Sequence, residues 1–406
     1  MTRPVHRVAP ATDTPVRQES LRAHNLSLTF RQIVGAPAPI SRIELAVATG
    51  LTRPTISRIV DELLAGGLIV EAGPARSGNS GRPRVGLSLS PTGPAGLGLD
   101  IRVDTLSACV VDLTGAVRHL AFAPRPASAA ETLAGLADLG RAAMTAAAAE
   151  SLTVVGATLA VPGPVADGRV VRFAPTLGWR DVDAGAALRP ALGPVTVDND
   201  ASLAALAELY ASTPPLRNFV CVSGEFDIGA GIVLGGSLLR GARGWGGSLG
   251  HVAVAADGPP CVCGATGCLQ EYAGLERILG GASCDPAPAV AIDALVSAGD
   301  AKIVAALDRA GAALGVALSA LVNIIDVDTV LLGGSYSLLA SWLIEGVENE
   351  LNHRVLTARW APVSVRPAPL GPDAAVMGAA LSAIDTVRQD PNSWLARVGP
   401  PPPARA

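Results

Sequence analysis

The tightest constraint on folding lies between residues 251 and 268, where His251 is followed by Cys261-Val-Cys263-Gly-Ala-Thr-Gly-Cys268. Three thiols within eight residues, bent by two glycines and joined by an imidazole ten residues upstream, make a Cys3His set. That set suits a closed tetrahedral zinc site with ligands His251, Cys261, Cys263 and Cys268. Four protein ligands leave no position for a catalytic water, so a bound zinc would be structural, bracing a loop and performing no chemistry. The other cysteines, Cys109, Cys221 and Cys284, are scattered, two of them on predicted strands. The alternative, disulfide pairing, fits poorly with a chain expected in a reducing compartment.

At about 150 residues per domain, 406 residues predict two or three domains. With 49% hydrophobic and 16% charged residues, the chain has ample apolar surface to bury. Its longest uncharged runs, 151–166, 310–325 and 329–344, reach 16 residues each. A bilayer span needs roughly 20, so no membrane segment is expected. The stretch from Met1 to Arg17 has no apolar core followed by a cleavage site, so a cytoplasmic location is the expectation.

Charge is distributed unevenly. Residues 1–92 carry 11 arginines against 6 carboxylates, leaving 20 basic against 29 acidic residues for 93–406. A basic head on an acidic body suggests a small polyanion-binding module attached to something else. Within that head, Leu26, Leu28, Phe30, Ile33 and Val34 have helical spacing that ends at Gly35. Ser41-Arg-Ile-Glu44 is a capping box that predicts a helix start. Gly50 can take the left-handed turn, and Thr52 can cap a second helix with Ile56, Ile59, Val60 and Leu63 on one face. Its other face presents Arg53, Thr55, Ser57 and Arg58, groups suited to phosphates and base edges. Leu68–Val70 and Val85–Leu89 read as strands around a loop holding Arg76, Arg82 and Arg84. The pattern predicts a winged helix-turn-helix, with Arg82, held extended by Pro83, reaching a minor groove. The competing reading is a three-helix domain with a solvated basic face.

Residues 91–96, with two prolines and two glycines, mark the expected boundary. Beyond it two hairpins share one plan. The first pairs Leu97–Leu99 with Leu106–Leu113 across the turn 100–104, and the second pairs Phe219–Val222 with Ile228–Leu234 across 223–227. That repetition predicts a duplicated α/β body, with helices over Ala130–Ala149 and Ala201–Tyr210. The division expected is a DNA-binding head over 18–90, a body over 95–388 and a Pro-rich tail over 389–406.

From about residue 20 to 385 the chain resembles the ROK family of repressors, open reading frames and sugar kinases, and specifically its transcriptional regulators. The resemblance rests on Gly250-His251 through Cys268, supported by Val161-Pro-Gly-Pro164, Asp198-Asn-Asp-Ala201 and Leu332-Gly-Gly334. It implies a two-lobed, actin-like (ribonuclease H-like) ATPase-type body behind the winged helix-turn-helix. It also implies that Asn199 and Asp200 match a pair in which the amide holds sugar hydroxyls and the carboxylate is the general base. Read without the resemblance, Asp198-Asn-Asp200 is a polar turn capping the 201–210 helix. His251 matches a residue that touches both zinc and sugar, and Gly163, Gly168 and Thr176 fall in the sugar-side loop.

Departures from the kinase pattern are concentrated at the phosphates and the sugar. The small, glycine-rich turn that should follow Asp100 reads Ile101-Arg-Val-Asp104, and the second phosphate turn reads Gly224-Glu-Phe-Asp227. Both place bulk and carboxylates where phosphates would sit, so no ATP is expected. Ser248 and Gln270 stand where the family usually has sugar-binding glutamates; Glu271 is adjacent but turned by about 100 degrees on a helix. The expected protein is therefore a non-enzymatic, sequence-specific regulator, a repressor acting on operator DNA as a homodimer or homotetramer. Its sugar-like effector would contact Gly163, Gly168, Thr176, Asn199, Asp200, Ser248, His251 and Gln270. The alternatives are a carbohydrate kinase with an added DNA-binding head, or a regulator whose body binds a protein.

Overall fold

In a computed structural model, the structure describes residues 18–74, 85–212, 214–224, 227–280 and 288–399. Two compact units emerge: residues 1–90 with 386–406, and residues 91–385.

The smaller unit is built from three helices and a short sheet. Helix α1 (Gln18–Val34) buries Leu26, Phe30 and Ile33. The two-residue strand β1 (Ile40–Ser41) leads into α2 (Arg42–Thr49). The capping box at its start is complete: the Ser41 N–H donates to Glu44 Oε2 at 2.8 Å and the Glu44 N–H to Ser41 Oγ at 3.3 Å. Gly50 ends α2 at φ 71°, and Thr52 caps α3 (Arg53–Ala65), which buries Ile56, Ile59, Val60 and Leu63 as the sequence predicts. Strands β2 (Ile69–Pro74) and β3 (Val85–Leu89) pair antiparallel, and β1 adds to β3. Helix–turn–helix followed by a two-stranded wing is the expected architecture of the head.

The larger unit repeats one five-stranded plan. In the first lobe, β4 (Gly93–Ile101), β5 (Thr105–Asp112) and β6 (Val117–Pro124) form an antiparallel meander, followed by α4 (Ala129–Ala149) and β7 (Leu152–Val161). A small sheet of β8 (Val165–Ala166), β9 (Val170–Ala174) and β10 (Trp179–Asp183) precedes α5 (Ala184–Leu192), β11 (Val195–Asn199) and α6 (Asp200–Ala211). The second lobe opens with β12 (Phe219–Gly224), β13 (Ile228–Leu234) and β14 (Ser237–Leu238). Then come α7 (Gln270–Ala273), α8 (Leu275–Ile278), α9 (Pro288–Ser297), α10 (Ala301–Ile325), β15 (Thr329–Gly333), α11 (Ala340–Arg354) and β16 (Ser364–Pro367). Helices α12 (Ala374–Gln389) and α13 (Pro391–Val398) follow.

The sheet orders are β11-β7-β4-β5-β6 and β14-β13-β12-β15-β16. In each, a strand at the centre pairs antiparallel with the next strand in sequence and parallel with a later one. The duplicated body legible in the two hairpins is therefore real at the level of connectivity. Helix α12 packs on the first sheet so closely that a Cβ on Gly98 would lie 2.1 Å from the Val376 carbonyl oxygen.

The two units divide after Ser90, at the expected boundary of 91–96, and β4 begins within that segment at Gly93. There Pro94 pairs only with β7, before the β5 ladder starts at Ala95, so its missing N–H costs little. The segment expected as a Pro-rich tail holds α13, whose Trp394 indole donates to the Gly66 carbonyl at 2.8 Å within the smaller unit. Helix α10 is long and apolar enough to cross a membrane by length and composition. Its first third carries Lys302, Asp308 and Arg309, leaving an uncharged run of only 16 residues, and its Leu307, Leu314 and Leu318 are buried in one cluster with Leu343 and Val347 of α11.

Candidate functional site

The thiol cluster forms where a 3-10 turn, Leu249–His251, meets a looped segment running to Cys268. Two isolated bridges, Ala253 to Cys268 and Pro260 to Thr266, fold the loop back on itself. Gly267 makes the fold possible: its φ is +67°, and a Cβ there would sit 1.7 Å from the Ala255 oxygen. The ligand atoms of His251, Cys261, Cys263 and Cys268 all lie within 4.8 Å of one another. Cys263 Sγ is 3.7 Å from Cys268 Sγ, and Cys261 Sγ is 3.7 Å from His251 Nδ1. Two sulfurs at about 2.3 Å from a tetrahedral zinc stand about 3.8 Å apart, so the spacing fits that ion. Burial pushes the Cys268 thiol up to about 12 and raises Cys261, while the Ala265 backbone N–H lowers Cys263. Cys109 and Cys221 are buried strand thiols remote in role, with burial pushing Cys109 up to about 12. Cys284 lies outside the described residues.

Next to this cluster, the two lobes enclose a cavity of about 170 Å³. The first lobe contributes Pro162, Gly163, Pro164, Phe173, Pro175, Asn199 and Asp200, and the second contributes Asp227, Trp245, Ser248 and His251. Asn199 serves the fold as well as the cavity. Its side-chain oxygen accepts the Ser202 N–H at 3.1 Å, capping α6, and its amide donates to the Gly163 oxygen at 3.3 Å. Both readings of the Asp198-Asn-Asp200 turn are thus present in one structure: it caps the helix and it lines the cavity.

Of the eight residues assigned to an effector, Gly163, Asn199, Asp200, Ser248 and His251 come together on the cavity wall. Gly168, Thr176 and Gln270 are not among its lining residues. Gly168 takes φ +60° in the turn between β8 and β9, and its carbonyl accepts the Val197 N–H at 2.7 Å. Thr176 is exposed beside lining Pro175. Gln270 turns into its own lobe, where its side-chain oxygen accepts the Ile228 N–H at 2.8 Å and holds the start of β13. Glu271 is paired with Arg277 at 2.6 Å, consistent with its not replacing the missing acid.

Three aromatic or charged lining residues were not expected from the sequence at this cavity. Asp227, assigned there to a phosphate turn, instead faces this cavity, because it directly precedes β13, whose Ala230 N–H bonds the Gly247 oxygen at 2.8 Å. Burial raises its carboxyl, His251 opposes that rise, and Glu276 adds to it. Glu225 lies outside the described residues. Trp245 sits in a Gly-Trp-Gly-Gly stretch and reaches across the cleft, its indole donating to the Val165 oxygen at 2.7 Å. Arg240 of the same loop pairs with Asp198 at 2.5 Å, a second fastening between the lobes. Phe173 is the third.

On the other side of Asp200 lies the turn that follows Asp100, one of the two expected to meet phosphates. The space bordered by Asp100, Arg102, Asp200, Ser223, Gly334 and Pro372 amounts to about 10 Å³, too little for more than a single water. Arg102 Nε donates to Asp100 Oδ2 at 3.1 Å, and its terminal nitrogen donates to the Pro372 oxygen at 2.8 Å and Asp373 Oδ1 at 2.6 Å. Its backbone N–H bonds the Thr105 oxygen at 2.8 Å, so the turn closes on itself. Burial raises the Asp100 carboxyl, with Arg102 opposing.

In the smaller unit, Thr52, Arg53 and Arg58 are exposed on α3, with Thr55 and Ser57 half-buried beside them. Thr52 Oγ1 accepts the Thr55 N–H at 3.4 Å. Arg53 and Arg58 take part in no ion pair among the described residues. Arg82 lies outside the described residues.

Residues 96–386 match the model of the ROK family. The chain is 26% identical over 377 residues to the xylose repressor of Bacillus subtilis (strain 168), which covers 91% of this chain and 97% of that protein. Among solved structures it is similar to a ROK family transcriptional regulator described as a homologue of the Escherichia coli MLC protein. There the TM-score is 0.77 at 25% identity, over 93% of this chain and 99% of the other. It is also similar to a ROK family glucokinase from Streptomyces griseus in complex with glucose and AMPPNP, with a TM-score of 0.63 at 25% identity. That match covers 72% of this chain and 99% of the kinase.

Proposed function

The chain belongs to the ROK family, and from that premise we propose that it is a sequence-specific DNA-binding repressor whose kinase-like body senses a small molecule without phosphorylating it. The observation that carries this reading is coverage. The regulator match extends over 93% of the chain, head included, whereas the complete glucokinase accounts for only 72%. What the kinase lacks is what the helix-turn-helix unit supplies.

In this reading α3 lies in the major groove, with Arg53, Thr55, Ser57 and Arg58 meeting base edges and phosphates, and Thr52 at its N-terminus. Arg82 contributes from the wing. Two such heads on a homodimer or homotetramer engage a two-fold symmetric operator. The interlobe cavity holds the effector, with Gly163, Asn199, Asp200 and Ser248 as its polar edge. An effector that binds one lobe arrangement better than another shifts operator affinity by that difference and by no more. His251, Cys261, Cys263 and Cys268 would hold zinc, which would supply rigidity to the loop forming the cavity's second-lobe wall.

Against phosphoryl transfer, Arg102 engages its guanidinium with Asp100, Asp373 and the Pro372 carbonyl, and the space beside it measures about 10 Å³. DNase footprinting of the purified full chain on the DNA upstream of its own gene tests the proposal. A protected, two-fold symmetric site is expected, and uniform digestion at every protein concentration would refute the repressor reading.

A further inference from the structure

Carboxylates outnumber basic groups around the cavity. Asp200 and Asp227 both line it, and among its described lining residues His251 is the only basic side chain. Glu276 adds a third negative charge that acts on Asp227. The arginines nearest in sequence to the lining loop are turned to other work: Arg240 pairs with Asp198, and the Arg243 guanidinium lies 5.8 Å from the Trp245 ring centroid. Asp227 accepts no hydrogen bond from any described residue, although half-buried at the cavity wall. An acceptor held in that setting is satisfied by a ligand donor, and best by a charged one.

The rest of the wall is aromatic and proline-rich: Phe173, Trp245, Pro162, Pro164 and Pro175. Aromatic faces attract cations and also accept the C–H face of a sugar ring. A volume of about 170 Å³ is small, below the roughly 300–1,000 Å³ of drug-sized pockets. With Ser248 and Gln270 at the two positions expected to carry acidic sugar contacts, and Gln270 turned away, neutral hydroxyls find few charged acceptors there. Besides Asp200, the carboxylate that faces the cavity stands at a different place, Asp227.

We propose that the interlobe cavity takes an amine-bearing monosaccharide, its ammonium group held by Asp227 and its carbon face laid against Trp245. This rests on the reading of the cavity as an effector site and names the chemical class of that effector.

Calorimetric titration of the full chain with glucosamine, glucose and N-acetylglucosamine tests it. The three share a ring and differ in carrying an ammonium, a hydroxyl or a neutral amide. Glucosamine should bind at least about tenfold more tightly than glucose or the acetylated form, as expected for a desolvated charge-assisted contact. Asp227→Asn should reduce that preference to less than about twofold, with the far-ultraviolet dichroism and melting curve of the variant showing that it folds. The wild-type ranking needs no variant and stands by itself. Equal or tighter binding of a neutral sugar overturns the amine assignment while leaving the effector cavity intact. Binding of none of the three, set beside binding of other small carbohydrates, also overturns it; binding of no carbohydrate at all removes the effector reading too.

Discussion

Raising the pH from 7.5 to 8.5 should strengthen zinc binding to this chain by about 100-fold. In the metal-free loop, burial pushes Cys268 up to about 12 and raises Cys261, so each sulfur holds its proton more tightly than a free cysteine. Both protons must leave when the sulfurs bond the ion. Affinity then rises with the second power of the fall in proton concentration, which over one pH unit is about 100-fold or about 2.7 kcal/mol. Cys263, lowered by the Ala265 N–H, adds at most part of a third proton and can only steepen the dependence. The sign is fixed by the free state: protons held there compete with metal, so lower pH weakens binding. Competition against a chromophoric chelator, corrected for the chelator's own protonation, measures the slope on the full chain. A dependence of less than one proton per metal would mean that Cys261 and Cys268 are not both ligands, and the Cys3His centre would be wrong.

Three further outcomes follow from the geometry. Arg53→Ala and Arg58→Ala should each weaken operator binding by about 10- to 100-fold, in line with losing one base or phosphate contact, while leaving the melting temperature unchanged because both side chains are exposed. Anisotropy titrations and thermal melts check the two halves separately. Thr52→Ala removes the N-cap of α3 and should cost about 0.5–1 kcal/mol in urea denaturation; an unchanged midpoint would show the cap to be idle. In a coupled ADP-release assay over a sugar panel, the protein should show no turnover, and turnover abolished by Asp200→Ala would overturn the rejection of kinase chemistry.

Local signals were legible in the sequence wherever a short stretch decides its own geometry. The capping box at Ser41, the left-handed Gly50, the buried stripe of α3 and the two hairpins all follow from neighbours within a few residues. The thiol set was legible for the same reason: spacing alone brings the four ligand atoms together. What sequence could not supply was direction across the cleft. Gln270 and Asp227 lie in segments whose local patterns are unremarkable, and their orientations are set by Ile228 and by the Gly247 carbonyl far along the chain. The direction of Arg102 was likewise hidden in the turn Ile101-Arg-Val-Asp104. Its partners Pro372 and Asp373 are about 270 residues away, brought in by α12 packing beneath the first sheet. The helix over Pro391–Val398 was hidden by the prolines after it, although Pro391 sits at a helix start, where its ring is tolerated.

The central claim, a repressor that reads one operator through the α3 face, is tested most directly by fluorescence anisotropy of the full chain on its footprinted upstream site and on a scrambled duplex, from 50 to 200 mM salt. Preference for the site by at least about 1,000-fold is expected at physiological salt, with both affinities falling as salt rises because phosphate contacts release counterions. Equal affinity for the two duplexes at every salt concentration would contradict the account.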